Sequence, residues 1–158
     1  MRDTMDMQGK VRLLLEDRAG RLLLDRTHHN RIVRSGRQLV AQLFAGVEGA
    51  PPSKVTHMAV GTGKDEAKDD QVGLQAERAR NPIAKPAYTE IVDEKGVKRI
   101  KVSLQSVFDF GEANGQEPLC EAGIFTAKSE GTIYNRVTFD PVSKANTFKL
   151  TLIWDIVF

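Results

Sequence analysis

Every even-numbered position from Phe148 to Phe158 is apolar: Phe148, Leu150, Leu152, Trp154, Ile156 and Phe158. Thr147, Lys149, Thr151, Ile153, Asp155 and Val157 hold the odd positions between and before them. Successive side chains of a strand point to opposite faces, so this pattern spells one long strand with a wholly apolar face. Its other face softens only at Ile153 and Val157. An apolar sheet face has to be buried against a second layer. The rest of the chain is cut by turns at short spacing and lacks the crossover helices that a parallel sheet requires. The expected fold is therefore mainly β (a β-rich α+β class): an antiparallel β-sandwich with one packed α-helix near residues 34–45 and an N-terminal β-hairpin. A chain of 158 residues suits one domain. That domain is expected over residues 10–158, with residues 1–9 as a flexible N-terminus.

Residues 10–27 spell the hairpin. Val11, Leu13 and Leu15 alternate with Arg12, Leu14 and Glu16, Asp17-Arg18-Ala19-Gly20 supplies the turn, and Arg21 to Arg26 returns. The triplets Leu13-Leu14-Leu15 and Leu22-Leu23-Leu24 put apolar side chains on both faces. A two-stranded hairpin is marginal alone in water, so the second face calls for cover from the chain's own helix or from a neighbouring subunit. In the helix, Ser35 and Gln38 match a capping box, and Leu39, Val40, Leu43 and Phe44 share one face. Gly46 is the expected stop, and Pro51-Pro52 closes the segment. Short strands are expected at Val55–Val60, Leu119–Ala127 and Thr132–Phe139, and a second hairpin at 83–92 and 97–110. A polar stretch over 64–82 reads as irregular, with a short helix at Leu74–Arg80.

Charge excludes some functions. Lys and Arg number 23 against 21 Asp and Glu, a net +2 with 28% of residues charged. Such a balance argues against disorder and against a dedicated nucleic-acid binder. It is nevertheless uneven: nine basic and five acidic residues over 1–40 give +4, nine of each over 41–100 give 0, and five against seven over 101–158 give −2. The basic start and acidic end are compatible with head-to-tail attraction between copies, and near-neutrality leaves little repulsion to oppose association. The single cysteine, Cys120, excludes an internal disulfide and reads as a buried, inert thiol. No apolar run reaches membrane-spanning length, and the first residues lack the apolar stretch of a secretory signal, so no membrane partner is expected.

Motifs for catalysis or cofactors are sparse. Gly61-Thr62-Gly63-Lys64 evokes a phosphate loop, but Met58 stands where its first glycine belongs and Asp65 where its Ser or Thr belongs. Those glycines read instead as a strand-end turn needing positive φ. Asp65, Glu66, Asp69 and Asp70 fail calcium-loop spacing and read as a solvated, mobile loop. His28 and His29 are adjacent on a strand and point opposite ways, which leaves His57 without a nearby co-ligand. No serine elbow is present. No metal, cofactor or catalytic residue is expected. Arg31, Arg34 and Arg37 recur near the helix start, where the macrodipole disfavours cations. They call for an anionic partner, whether a phosphate, a neighbour's carboxylates, or Asp25 or Glu48 of the same chain. Together with Leu13, Leu15, Leu22 and Leu24 they are the candidate subunit contacts.

The order of several segments resembles a known family. His29-Asn30-Arg31-Ile32-Val33-Arg34-Ser35-Gly36-Arg37 leads into a helix ending Leu43-Phe44-Ala45-Gly46. Thr56-His57-Met58-Ala59-Val60-Gly61-Thr62-Gly63, Glu121-Ala122-Gly123-Ile124-Phe125 and Ile133-Tyr134-Asn135-Arg136-Val137-Thr138-Phe139 follow, and the strand bearing Trp154 closes the chain. Over roughly residues 28–158 this is similar to small bacteriophage tail proteins, of the tail fibre or baseplate, found also in phage-derived contractile injection systems. The hairpin at 10–27 is less characteristic of that family. The resemblance implies a non-enzymatic structural subunit of the virion, assembled in the host cytoplasm and present in several copies. Its implied partners are other tail or baseplate subunits and further copies of itself. One rival is a receptor- or carbohydrate-binding module of a fibre tip, for which Tyr88 and Tyr134 are the aromatic candidates. A small glycan hydrolase is the second rival.

Overall fold

A computed structural model describes residues 7–49 and 52–158. Its strands are β1 (Gln8–Asp17), β2 (Leu22–His29), β3 (Arg31–Ile32), β4 (His57–Gly61), β5 (Glu77–Pro82), β6 (Ala87–Val92), β7 (Lys98–Phe108), β8 (Leu119–Phe125), β9 (Ile133–Val142) and β10 (Phe148–Val157), with one helix, α1 (Arg34–Ala45). They form two antiparallel five-stranded sheets, ordered β2-β1-β10-β7-β6 and β3-β9-β8-β4-β5. The mainly β architecture with one helix is as the alternation predicts. β1 starts at Gln8, so the expected flexible segment 1–9 gives up its last residues to a strand, while residues 1–6 lie outside the described ones.

The terminal strand β10 sits at the centre of the first sheet, between β1 and β7. Leu150, Leu152, Trp154 and Ile156 face inward with Val11, Leu13 and Leu15 of β1, and with Leu104 and Phe108 of β7. Met58, Val60, Ala122, Ile124 and Val137 answer from the second sheet. Each fully buried Leu or Phe in such a core contributes on the order of 1.5–3 kcal/mol. One tie crosses the interior: the indole N–H of Trp154 donates to Asn30 Oδ1 at 2.9 Å. Asn30 in turn lies so close to Gly9 that a Cβ there would overlap its side-chain amide.

Four local expectations are overturned. Residues 74–80 form no helix; Glu77–Pro82 is β5, paired antiparallel with β4. The proposed capping box is absent, because Val33 is the N-cap and Ser35 Oγ donates instead to the Ile133 carbonyl of β9 at 2.7 Å. Gly61 and Gly63 lack positive φ; a Cβ at either would overlap the Ala76 carbonyl, the Gln75 side chain or Glu121, so the glycines serve close approach. Nor does α1 cover the hairpin's second face. It packs on β9 of the other sheet, where Gly36 permits contact with the Tyr134 carbonyl. The hairpin's outer face is dressed with charge instead, by an Arg12–Asp25 pair and a Glu16–Lys149 pair.

The chain changes sheets between β5 and β6. Ile83 N–H donates to the Thr56 carbonyl and Ala84 N–H to the Gln105 carbonyl, each at 2.8 Å. Beyond this crossing, β6 and the first half of β7 extend as a hairpin, with its turn held by the carboxylate of Asp93.

Candidate functional site

The most elaborate polar arrangement is fully buried. Glu121 of β8 and Arg136 of β9 are both inaccessible and pair Nε to Oε2 at 2.7 Å. Glu121 also accepts the N–H groups of Gly63, Gln75 and Ala76 at 3.0, 2.9 and 2.7 Å. Arg136 donates to the Asp65 carbonyl at 2.7 Å and to Gln71 Oε1 at 3.2 Å. A buried ion pair persists only where further hydrogen bonds satisfy both ions. Here those bonds tie down residues 63–76, the segment whose acidic residues suggested a mobile loop. The arrangement is a scaffold for that loop: the Glu121 oxygens are taken up by Arg136 and three backbone N–H groups, while Arg136 Nη2 is buried without a partner among the described residues. Its members stand fifteen positions apart in sequence, and each reads alone as an ordinary surface charge.

A second buried cation, Lys144, donates to the Asp109 carbonyl, Asn114 Oδ1 and the Ala145 carbonyl at 2.9, 2.8 and 3.3 Å. Burial pushes its ammonium pKa down, against the pull of Glu112 and Asp109. Gly115 N–H closes the 111–118 loop onto the Lys144 carbonyl.

The candidate contact residues separate into two groups. Leu13 and Leu15 lie in the chain's own core, which leaves them no surface for a subunit boundary, and Leu24 packs partly against that core. Leu22 is half exposed, as is its neighbour Leu23. Arg37 forms a two-pronged pair with Asp69, at 2.9 and 3.0 Å, and also reaches the Ile32 carbonyl. The pair holds the Asp69 carboxyl below its usual range, chiefly through hydrogen bonds from Arg37. Arg31 donates to the Ala67 carbonyl at 3.2 Å. The partner of Arg31 and Arg37 is thus the 65–70 loop, not Asp25 or Glu48, while the side chain of Arg34 is exposed and adds its charge to the pull on Asp69.

Tyr134 is only 2% exposed, and burial pushes its phenol pKa up to about 12. It therefore cannot pair with Tyr88, 72% exposed on β6, to form an aromatic sugar platform. His28 packs against Phe139 at 6.0 Å between ring centroids. Among the described residues, no three His, Cys, Asp or Glu side chains come together as a metal site. Cys120 is buried and free, as expected.

Among the described residues, Leu22 and Leu23 are exposed at the first hairpin turn and Val72 stands exposed alone; the larger uncovered groups lie on α1 and on the β6–β7 hairpin. On α1 the apolar stripe outruns its seat: Gly36 and Leu39 are buried against β9, whereas Leu43 is half exposed and Phe44 is 93% exposed; just past the helix end, Val47 is half exposed too. On the β6–β7 hairpin, Tyr88, Val92, Val97 and Ile100 are exposed. Tyr88, Val92 and Ile100 share the sheet face that elsewhere lines the core, at a level the second sheet does not cover. Monomeric proteins seldom leave grouped apolar side chains in water, and grouped ones mark interaction sites. Comparison with known proteins found no match: no family model fits the chain, and no curated protein or solved structure is similar to it.

Proposed function

We propose that the chain is a structural subunit of a phage tail or tail-like particle, associated with the tail fibre or baseplate, which acts by protein–protein assembly without catalysis. The observation that carries this reading is the free end of α1. A helix that only stabilised its own domain would end its apolar stripe where its seat on β9 ends. Here Leu43 and Phe44 continue the stripe into solvent, and Val47 just beyond the helix end adds to it. A large aromatic flanked by aliphatics is the composition of an interface anchor. The sequence resemblance supplies the kind of assembly.

The test is fractionation. Tail-like particles purified from a producing strain should contain the chain at a constant ratio to the other tail proteins. A Phe44→Ser variant should fold with unchanged urea midpoint, since the ring touches little of its own chain, yet be depleted from particles. A chain that stays wholly in the soluble fraction overturns the reading.

A further inference from the structure

We propose that β6 is a self-association edge, along which two copies of this chain pair antiparallel about a twofold axis through Thr89. The inference deepens the assembly reading and rests on it for its biological meaning. Its starting point is the treatment of the four sheet edges. β3 is only two residues long. β2 carries a bulge at its junction with β1 and the charged or imidazole side chains of Asp25, Arg26, His28 and His29. β5 has a bulge against β4, ends in Pro82, and has Arg80 bound to the Ala127 and Glu130 carbonyls. Short strands, bulges, charges and proline are the devices by which proteins keep edges from pairing. β6 (Ala-Tyr-Thr-Glu-Ile-Val) pairs with β7 in unbroken register, holds no proline between Pro86 and its end, and has one charge, Glu90, in a solvent-exposed pair with Lys98 at 3.2 Å.

The main-chain groups of the free edge can be identified. Ile100 exchanges both hydrogen bonds with Phe158, so its backbone faces β10, and Arg99 and Lys101 therefore face β6. Their partners Ile91 and Thr89 are bonded inward, as is Asp93, whose N–H meets the Val97 carbonyl at 2.9 Å. The N–H and C=O groups of Tyr88, Glu90 and Val92 consequently point away from the sheet.

Charge then selects the register. An axis through Glu90 would set Glu90 against its own copy, and like charges directly opposite are destabilising. An axis through Ile91 would run the pairing into the turn at Glu94. An axis through Thr89 sets Tyr88 against Glu90, both with free edge groups, and Ala87 against Ile91; at each end Val92 faces Pro86, which accepts but has no N–H to donate. It also places Lys85 of each copy opposite Asp93 of the other, so that an opposite charge stands at each end beside the Arg99 that already pairs with Asp93. The exposed Tyr88 and Ile100 of both copies would then share one face of a continuous ten-stranded sheet and bury each other.

Position 89 lies on the axis in a non-hydrogen-bonded pair, where Cα atoms stand about 4.5 Å apart, within disulfide reach. The experiment is sedimentation of the full chain with substitutions there. Thr89→Cys should form a disulfide-linked dimer on mild oxidation, twice the 17.5 kDa of the chain, with the buried Cys120 taking no part. Thr89→Lys and Thr89→Glu should each weaken self-association about tenfold or more. An equimolar mixture of the two should restore it, which only a contact of residue 89 with itself can explain. Failure of Thr89→Cys to cross-link, or wild-type association by Thr89→Lys alone, overturns the proposal. If that failure comes with normal incorporation into particles, edge pairing falls and the assembly reading stands. Charge-reversible dimerisation without incorporation would uphold the edge and remove the assembly reading.

Discussion

β8 and β6 invert the usual relation between polarity and burial. Every residue of β8 is buried, although Glu121 lies in its middle. All of β6 is exposed except the half-buried Ile91, although its sequence is largely apolar and β-forming. The difference lies in neighbours. β8 has β9 and β4 on its two sides, and the carboxylate of Glu121 is satisfied by Arg136 and three backbone N–H groups. β6 has β7 on one side and an open edge on the other, beyond the reach of the second sheet. The body of the sandwich is thus specified from within, and its overhang is shaped for something outside.

The comparison breaks first at the buried pair. Arg136→Met should cost about 3–5 kcal/mol, because it leaves a buried carboxylate without its countercharge. Urea denaturation measures the loss, and faster proteolysis within residues 63–76 should accompany it. A cost under about 1 kcal/mol would mean that the body does not depend on the pair. Gly36→Ala should come next, at about 1–3 kcal/mol, since the new methyl meets the Tyr134 carbonyl and must lift α1 from β9. Loss of helix docking should show in amide exchange of α1 before the sheets are affected.

Acid tests the body more gently. Burial holds the imidazoles of His28 and His57 below their usual pKa, so the folded chain prefers them neutral. Above the unfolded value of about 6.5 neither costs anything. As pH falls from there through the depressed folded values, the unfolded chain takes up protons first and stability declines. The carboxylates of Asp17, Asp25, Asp69 and Asp93 are also held low, so their contribution is lost only below about pH 4. His28→Phe should therefore lessen the decline that begins below about pH 6.5, read as thermal midpoints, and leave the carboxylate limb below about pH 4 unchanged. The smallest effect belongs to the overhang: Tyr88→Ser should move the stability of the single chain by no more than about 0.5 kcal/mol. The same substitution should weaken self-association, and a large loss of fold stability would place Tyr88 in the body after all.

What sequence reveals here follows the range of the interaction. The strict period of two in β10 and the turn at Asp17–Gly20 are local, and both elements appear where expected. The helix over 34–45 is also local in origin, and Gly46 ends it with φ of 79° and a bond to the Gln42 carbonyl. The stretch from Leu74 to Arg80 holds good helix formers, but pairing with β4 outweighs propensity, and the Arg80 guanidinium lies over the Phe125 ring at 3.7 Å. The Leu triplets promised apolar residues on both hairpin faces. Which triplet members reach the core depends on the partner sheet, so Leu13 and Leu15 could not be told from Leu22 by alternation alone. Glu121 and Arg136 gave no signal of their depth, and nothing in the composition of β6 says that it ends a sheet.

The bond from Trp154 to Asn30 has an optical consequence. The chain has one tryptophan, and its indole reaches across the core to the residue whose own N–H holds the Gly9 carbonyl at 3.1 Å. Its emission therefore reports on the seating of the first strand as well as on the centre of the core. A red shift that precedes the loss of far-ultraviolet dichroism would time the release of that strand, with no added dye.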